Sequence, residues 1–196
     1  MGLPPLLADA RESAPDPEAV TPVARGVEQN LLPWALDGVE LGTETLEIGP
    51  GYGATTRVLA RRAQGHLSVL EVDAEFAKKL QDVYAGRVEV VHGDGTSMPF
   101  PDGGFDTVVC FTMLHHVPSP EQQDRLFAEA RRVLRPGGVF AGCDGCASTV
   151  FRLLHLGDTC VPVPPETLPR RLRAAGFGPA EVTLGKGRFR FRAVRE

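Results

Sequence analysis

The chain has 196 residues, 42% of them hydrophobic, and a formal net charge of −4, enough to bury one sizeable core within the usual range of a single domain. No run approaches the roughly 20 apolar residues of a membrane-spanning helix, and the first residues, with acids among prolines and alanines, lack a signal-peptide pattern. A cytoplasmic protein without membrane association is therefore expected, and the four cysteines, Cys110, Cys143, Cys146 and Cys160, are too few for a disulfide framework.

The spacing Cys143-Asp144-Gly145-Cys146 would suit a metal or redox pair, but no second pair or Cys-His partner follows, so no metal site is expected. Charge is uneven along the chain. Residues 1–124 hold 8 basic and 19 acidic side chains, residues 125–196 hold 13 and 6, giving −11 against +7. Contact between the halves is the commoner meaning of such asymmetry; a polyanion-binding face is the other.

In chain order, residues 1–22 carry five prolines among scattered acids and read as a flexible or lid-like segment ahead of a single domain, 23–196. A helix is expected over about 23–37, with Val27, Leu31, Trp34 and Ala35 near helical spacing and Pro33 ending or kinking it. From residue 44, β-rich runs alternate with amphipathic windows, the pattern of a mostly parallel sheet with helices on both faces. Seven strands are expected, at about 44–48, 67–72, 88–91, 106–111, 138–142, 180–184 and 188–193.

The helices between them show their buried stripes: Phe76, Leu80, Val83 and Tyr84; Leu126, Phe127, Ala130, Val133 and Leu134; Leu168, Leu172 and Ala175. Arg135-Pro136-Gly137-Gly138 stops the second and Gly176 the third. The only long loop-like stretch is about 143–166, with a short apolar segment, Phe151 to Leu156. Gly185-Lys186-Gly187 is too short for a parallel crossover, so the last two strands should form an antiparallel hairpin. Arg188, Arg190 and Arg192 alternate with Phe189 and Phe191, giving that strand one basic face, unexpected for a strand inside a sheet.

The first strand runs into Glu47-Ile48-Gly49-Pro50-Gly51-Tyr52-Gly53 and then a helix. Glycines there let backbone approach a ligand at the carboxyl end of the sheet. Their alternation differs from the dinucleotide fingerprint, and a carboxylate at Glu47 would repel a pyrophosphate but attract an ammonium or sulfonium. Asp73, at the end of the second strand, stands where an acid accepts from ribose hydroxyls. Asp94 in His92-Gly93-Asp94-Gly95 could accept from an adenine amino group, or be a turn aspartate beside glycine.

Together with Leu114-His115-His116-Val117 and Arg132-Val133-Leu134-Arg135-Pro136-Gly137-Gly138, these motifs resemble the class I S-adenosylmethionine-dependent methyltransferases, in particular the type 11 group. The resemblance covers residues 25–145 and implies an α/β, Rossmann-like seven-stranded sheet of order 3-2-1-4-5-7-6 with its last strand antiparallel. It implies that Glu47, Gly49, Pro50 and Gly51 serve the methionine end of the cofactor, with Tyr52 as a wall. It places Asp73 and Ala74 at the ribose, Asp94 and Gly95 at the adenine, and Cys110 and Phe111 beside the cofactor after the fourth strand.

The expected reaction is in-line methyl transfer to a small-molecule acceptor, leaving S-adenosylhomocysteine, in which alignment and desolvation are the protein's main contributions. A base would help with some acceptors, and His115 or His116 is the candidate. Met113, Phe151 and His155 are the candidate acceptor contacts, in an apolar setting that Leu114 and Leu154 could share. Cys110-Phe111-Thr112-Met113 departs from the Asn/Asp-Pro-Pro-Tyr/Phe sequence of resembling adenine and glutamine N-methyltransferases, which disfavours nucleic-acid bases. Two alternatives stay open: methylation of RNA or another anionic substrate, and a non-methylating S-adenosylmethionine-binding protein. Oligomeric state is not legible.

Overall fold

A computed structural model describes residues 21–154 and 157–196 of the chain. Most of the N-terminal segment, residues 1–20, and the candidate contact His155 lie outside the described residues.

The sheet has seven strands: β1 Glu44–Ile48, β2 His66–Glu71, β3 Glu89–His92, β4 Phe105–Phe111, β5 Leu134–Gly145, β6 Glu181–Gly185 and β7 Arg188–Val194. Their order is β3-β2-β1-β4-β5-β7-β6. The first five are parallel, and β7 runs antiparallel to both β5 and β6. The β6–β7 hairpin turns on Lys186 and Gly187, the latter at φ +68°, a value glycine adopts without steric cost. A reversed last strand separates this sheet from a dinucleotide-binding fold.

Helices cover both faces. They are α1 Pro22–Gly26, α2 Leu32–Ala35, α3 Thr56–Arg62, α4 Ala74–Tyr84, α5 Pro120–Val133, α6 Thr149–Leu154 and α7 Leu168–Ala174. A π-helical turn, Val27–Leu31, joins α1 to α2. The helix expected over 23–37 is thus continuous in direction but wider in its middle turn, and Pro33, which has no N–H to give, falls in the first turn of α2.

Local signals explain the longer helices. Asp73 caps α4 by accepting from the Glu75 and Phe76 amides, and Ser119 caps α5 ahead of Pro120 at its first position. Gly176, at φ +91°, follows α7. On one face Leu126, Phe127, Ala130 and Val133 of α5 pack with Phe140, Phe177, Phe189 and Phe191. The other face gathers Leu32, Val58, Leu59, Leu80, Tyr84, Val109, Phe111 and Cys143. Each such large apolar side chain taken from water contributes about 2 kcal/mol.

Two expectations change. Strand β5 is longer than 138–142 because Leu134 already pairs with Phe105; the register then shifts before Thr107 pairs with Val139. Arg135-Pro136-Gly137-Gly138 fills that irregularity, where a proline costs no ladder bond. At the other end Cys143, Asp144 and Gly145 pair with Arg190, Phe189 and Arg188. The loop expected over 143–166 therefore begins as strand, and it also holds α6, whose Phe151 amide is capped by Ser148 Oγ at 3.0 Å.

The charge asymmetry resolves into pairs across the two halves: Arg132–Asp102, Arg135–Asp106, Arg171–Asp124 and Arg190–Asp37. The basic face of β7 is covered by α2. Arg190 donates to the Trp34 carbonyl at 2.5 Å and to Asp37 at 3.1 Å, while the Arg188 guanidinium lies 4.8 Å from the centre of the Trp34 ring.

Candidate cofactor and acceptor site

The site lies where doubly wound sheets bind ligands, outside the carboxyl ends of the parallel strands. After β1 the chain turns through Gly49, Gly51 and Gly53 at φ +65°, +54° and +76°, a left-handed succession that side chains resist. A Cβ at Gly51 would meet nothing within 4 Å, so the backbone here is open to an approaching group. A Cβ at Gly49 would press on Met113 at 3.1 Å. Met113, expected at the acceptor, therefore lies directly against the glycine turn.

Glu71 holds the turn in place. Its Oε2 accepts from the Gly51 amide and its Oε1 from the Asp73 amide, both at 2.9 Å. One buried carboxylate thus ties the turn after β1 to the corner after β2, and that role was not read from the sequence. Asp73 is half-buried and uses Oδ1 to cap α4. Ala74 beside it is exposed. Tyr52 is exposed at the rim, with its ring centre 4.7 Å from that of Phe76. Pro50 is buried beneath the turn.

Glu47 is 0% exposed. Thr55 Oγ1 donates to its Oε1, and Thr56 Oγ1 to Oε2 at 2.6 Å, so Glu47 clamps the start of α3 to β1. Burial pushes its carboxyl up to about 7; the two hydroxyls oppose the shift and neighbouring Glu71 adds to it. Asp94 is exposed and forms an Asx turn, its Oδ1 accepting from the Thr96 amide at 2.7 Å. Gly95 backs onto Leu126 and Ile48, which leave a Cβ only 3.1 and 3.3 Å.

After β4, the side chains of Cys110 and Phe111 are buried in the two core clusters on opposite faces of the sheet. Burial, with Asp144, Cys143 and Glu47 adding to it, pushes the Cys110 thiol well up. Thr112 then adopts φ +50°, a strained value for a β-branched residue, and its amide donates to the Cys143 carbonyl at 2.8 Å. This reversal sends the chain into the short 3₁₀ turn Leu114–His116.

The two histidines part company there. His115 is 3% exposed and its Nδ1 lies 2.5 Å from Oδ1 of Asp144, itself 1% exposed. Asp144 Oδ2 also accepts from the His115 amide at 3.0 Å. The side chain of His116 is 42% exposed and pairs with Asp158 at 3.4 Å. The Phe151 ring stands edge-on to His115 with centres 5.0 Å apart, and it fits only because residue 145 is glycine: a Cβ there would be 2.2 Å from the ring.

Asp144 was not singled out in the sequence. Its signal was available in principle, since Phe111 and Cys143 are partners on adjacent strands, so the next residues of both strands emerge side by side. Among the described residues no group of three or more His, Cys, Asp or Glu could hold a metal ion, and no helix is long and apolar enough to cross a membrane.

The open backbone at Gly51, with the carboxylates of Glu47, Glu71, Asp73 and Asp94 at and after the carboxyl ends of β1, β2 and β3, fits a ligand that is itself cationic and carries a diol. This sheet and edge are those of a class I S-adenosylmethionine-dependent methyltransferase, and S-adenosylmethionine is the cofactor of that class. Residues 46–142 match the family model described as a methyltransferase domain, type 11. Residues 46–142 belong to that family.

Two relatives show the range of similarity. A sterol 24-C-methyltransferase of Gibberella zeae is 33% identical over 109 residues, 53% of this chain and 28% of that protein. A ubiquinone/menaquinone biosynthesis C-methyltransferase of Methylobacterium nodulans is 37% identical over 101 residues, 48% of this chain and 39% of that protein. The matched region is thus less than half of either relative. Among solved structures, a SAM-dependent methyltransferase of Thermotoga maritima, titled a possible histamine N-methyltransferase, superposes with a TM-score of 0.68. It shares 19% identity over 83% of this chain and 86% of that one.

Proposed function

We propose that this chain catalyses in-line methyl transfer from S-adenosylmethionine to a small-molecule acceptor. The observation that carries the reading is the contact of Met113 with Gly49, which brings the acceptor-side turn against the cofactor-side turn. In-line transfer needs donor and acceptor aligned within about 3.5 Å, and an acceptor resting on Met113 would lie beside a cofactor held by the Gly49 turn. The bound cofactor supplies a methyl group already activated by a positive sulfur.

The chain's own residues bind and align. Gly49, Pro50 and Gly51 would receive the methionine end, with Glu47 and Glu71 as the negative charge near its ammonium. Asp73 and Ala74 would meet the ribose, Asp94 and Gly95 the adenine. Because the Cys110 and Phe111 side chains are buried, their contribution would be backbone at the strand end, and Tyr52 would close the rim. His115, Met113 and Phe151 would face the acceptor, and of the two histidines His115 is the one paired with a buried carboxylate.

The sterol and quinone names of the relatives support a small organic acceptor. An RNA substrate finds less support, because four arginines of the basic half are paired with acids of the other half and offer less charge to a phosphate backbone. The test is transfer of tritiated methyl from S-adenosylmethionine into a cell extract that holds both small metabolites and RNA. Label in an organic-extractable or low-molecular-mass product supports the reading; label confined to RNA, or none at all with active cofactor binding, overturns it.

A further inference from the structure

We infer that Gln123 is a positioning residue for methyl transfer: its side-chain amide latches the loop ahead of α7 onto the turn Leu114–His116 and so sets where the acceptor lies; this rests on the methyltransferase reading above. Its place in the fold is unusual for a polar side chain. Gln123 is 1% exposed, on the stripe of α5 that also buries Leu126, Phe127, Ala130 and Val133. An apolar side chain would pack there without polar groups to satisfy, whereas a buried amide costs free energy unless it is hydrogen-bonded.

Both ends of the amide are engaged. Nε2 donates to the Leu114 carbonyl at 3.1 Å and to the Val161 carbonyl at 2.8 Å, which uses both its hydrogens. Oε1 accepts from Arg171 Nη1 at 2.9 Å. A guanidinium has donors and no acceptor, so the amide atom facing it is the oxygen, and the Nε2 hydrogens are left for the two carbonyls. Arg171 is itself fixed, donating to Asp124 Oδ1 and to the Pro120 carbonyl, both at 2.7 Å, with its guanidinium over the Phe127 ring.

The two carbonyls belong to the two segments that Gln123 joins. Leu114 opens the 3₁₀ turn and follows Met113, the residue that lies against Gly49. Val161 donates its amide to the His115 carbonyl at 2.7 Å. Val161 is thus held by both backbone polar groups, one bonded to the turn directly and the other through Gln123. His116 and Asp158 pair across the same two segments, but both side chains are about half exposed, where an ion pair holds little. The bonds that set the cofactor side, from the Gly51 and Asp73 amides to Glu71, involve none of these groups.

Glutamate at this position separates latching from packing. Gln123→Glu keeps the shape and gives Arg171 a charged partner, but it turns a carboxylate oxygen toward two carbonyls that have lost their donor. The loop and the turn then part while α5 and α7 stay joined. In-line transfer is sensitive to such a change, since a misplacement of about 1 Å can cost about a hundredfold in rate.

The test uses the full chain as wild type, Gln123→Glu and Val161→Pro. The proline removes the amide that reaches the His115 carbonyl, from a half-buried loop position, and so opens the same latch without touching α5. Calorimetry with S-adenosylhomocysteine comes first. No binding by wild type sinks the methyltransferase reading; affinity within about twofold of wild type is expected in both variants. Hydrogen exchange of the Val161 amide should quicken about tenfold or more in Gln123→Glu, with the strand amides unmoved, and unchanged exchange at Val161 overturns this proposal alone.

Transfer is read with tritiated-methyl S-adenosylmethionine at saturation and a limiting amount of cell extract holding small metabolites and RNA, per mole of chain that binds S-adenosylhomocysteine. Both variants should fall about tenfold to a hundredfold. Counting only cofactor-binding chain removes unfolded protein, so a merely structural Gln123 would lower the melting midpoint and leave this rate in place. A rate within about threefold of wild type in either variant, or a fall matched by an equal loss of cofactor affinity, overturns the proposal. Val161→Pro decides by transfer alone if Gln123→Glu does not fold.

Discussion

Glu71 Oε2 accepts from the Gly51 amide at 2.9 Å while its Oε1 accepts from the Asp73 amide, so the two loops proposed to meet the cofactor are held by one carboxylate. Glu71→Gln keeps the shape but replaces one acceptor with a donor facing an amide. Losing a charge-assisted bond of this kind costs about 1.5–3 kcal/mol. Affinity for S-adenosylmethionine should fall roughly tenfold to a hundredfold. Isothermal titration checks it, and unchanged affinity would remove Glu71 from the site.

Glu47 makes stability depend on pH in an unusual direction for an acid. Its folded value of about 7 lies above the ordinary glutamate value of 4.5, so between those limits the folded chain holds a proton the unfolded chain releases. Stability from this group is present below about pH 4.5, declines as pH rises and is fully lost above about pH 7. The loss is on the order of 3 kcal/mol. Glu47→Gln should abolish that decline in thermal melts from pH 5 to 8, and should weaken S-adenosylmethionine binding if the carboxylate serves its ammonium.

Gly142 pairs with Cys110 across β4 and β5, and the Cys110 carbonyl lies 2.0 Å from where a Cβ would stand. No side-chain rotation relieves a clash with backbone. Gly142→Ala should cost about 3 kcal/mol or more, lowering the melting midpoint by about 6–12 °C. A loss below about 2 °C would mean that the strands can spread at little cost.

Burial pushes the Cys143 thiol up to about 12 and raises the Cys110 thiol as well, whereas Cys146 and Cys160 are only half-buried. A thiol-specific disulfide reagent at pH 8 should therefore modify at most two cysteines of the native chain, and all four once it is unfolded. Rapid native modification of Cys143 would contradict the packing of β5.

How much of this was legible depended on the range of the signal. Strand and helix positions are local patterns, and Glu44–Ile48, the alternation at Arg188 to Val194 and the Gly185–Arg188 hairpin all emerge close to their expected places. The motif resemblance supplied the strand order. Contacts between residues far apart in sequence were less visible: Asp144 meets His115 across 29 positions, and the Trp34 carbonyl meets Arg190 across 156. The arginines of β7, puzzling in a buried strand, make sense only once α2 is laid over them.

Glu47 shows the other limit. Its place before the glycines pointed to a ligand's positive charge, but the structure gives both its oxygens to Thr55 and Thr56. A single carboxylate here has local partners that spacing to the glycines did not reveal. His115 and His116 were equal in the sequence; burial and a buried acid distinguish them.

The central claim is that the carboxyl edge of this sheet binds S-adenosylmethionine in order to transfer its methyl group. Titration calorimetry of the full chain with S-adenosylmethionine and with S-adenosylhomocysteine tests it most directly, with Asp73→Ala as the control. The account predicts one-to-one binding of both ligands, weakened at least tenfold by that substitution. No binding of either ligand, or binding indifferent to Asp73, would contradict it.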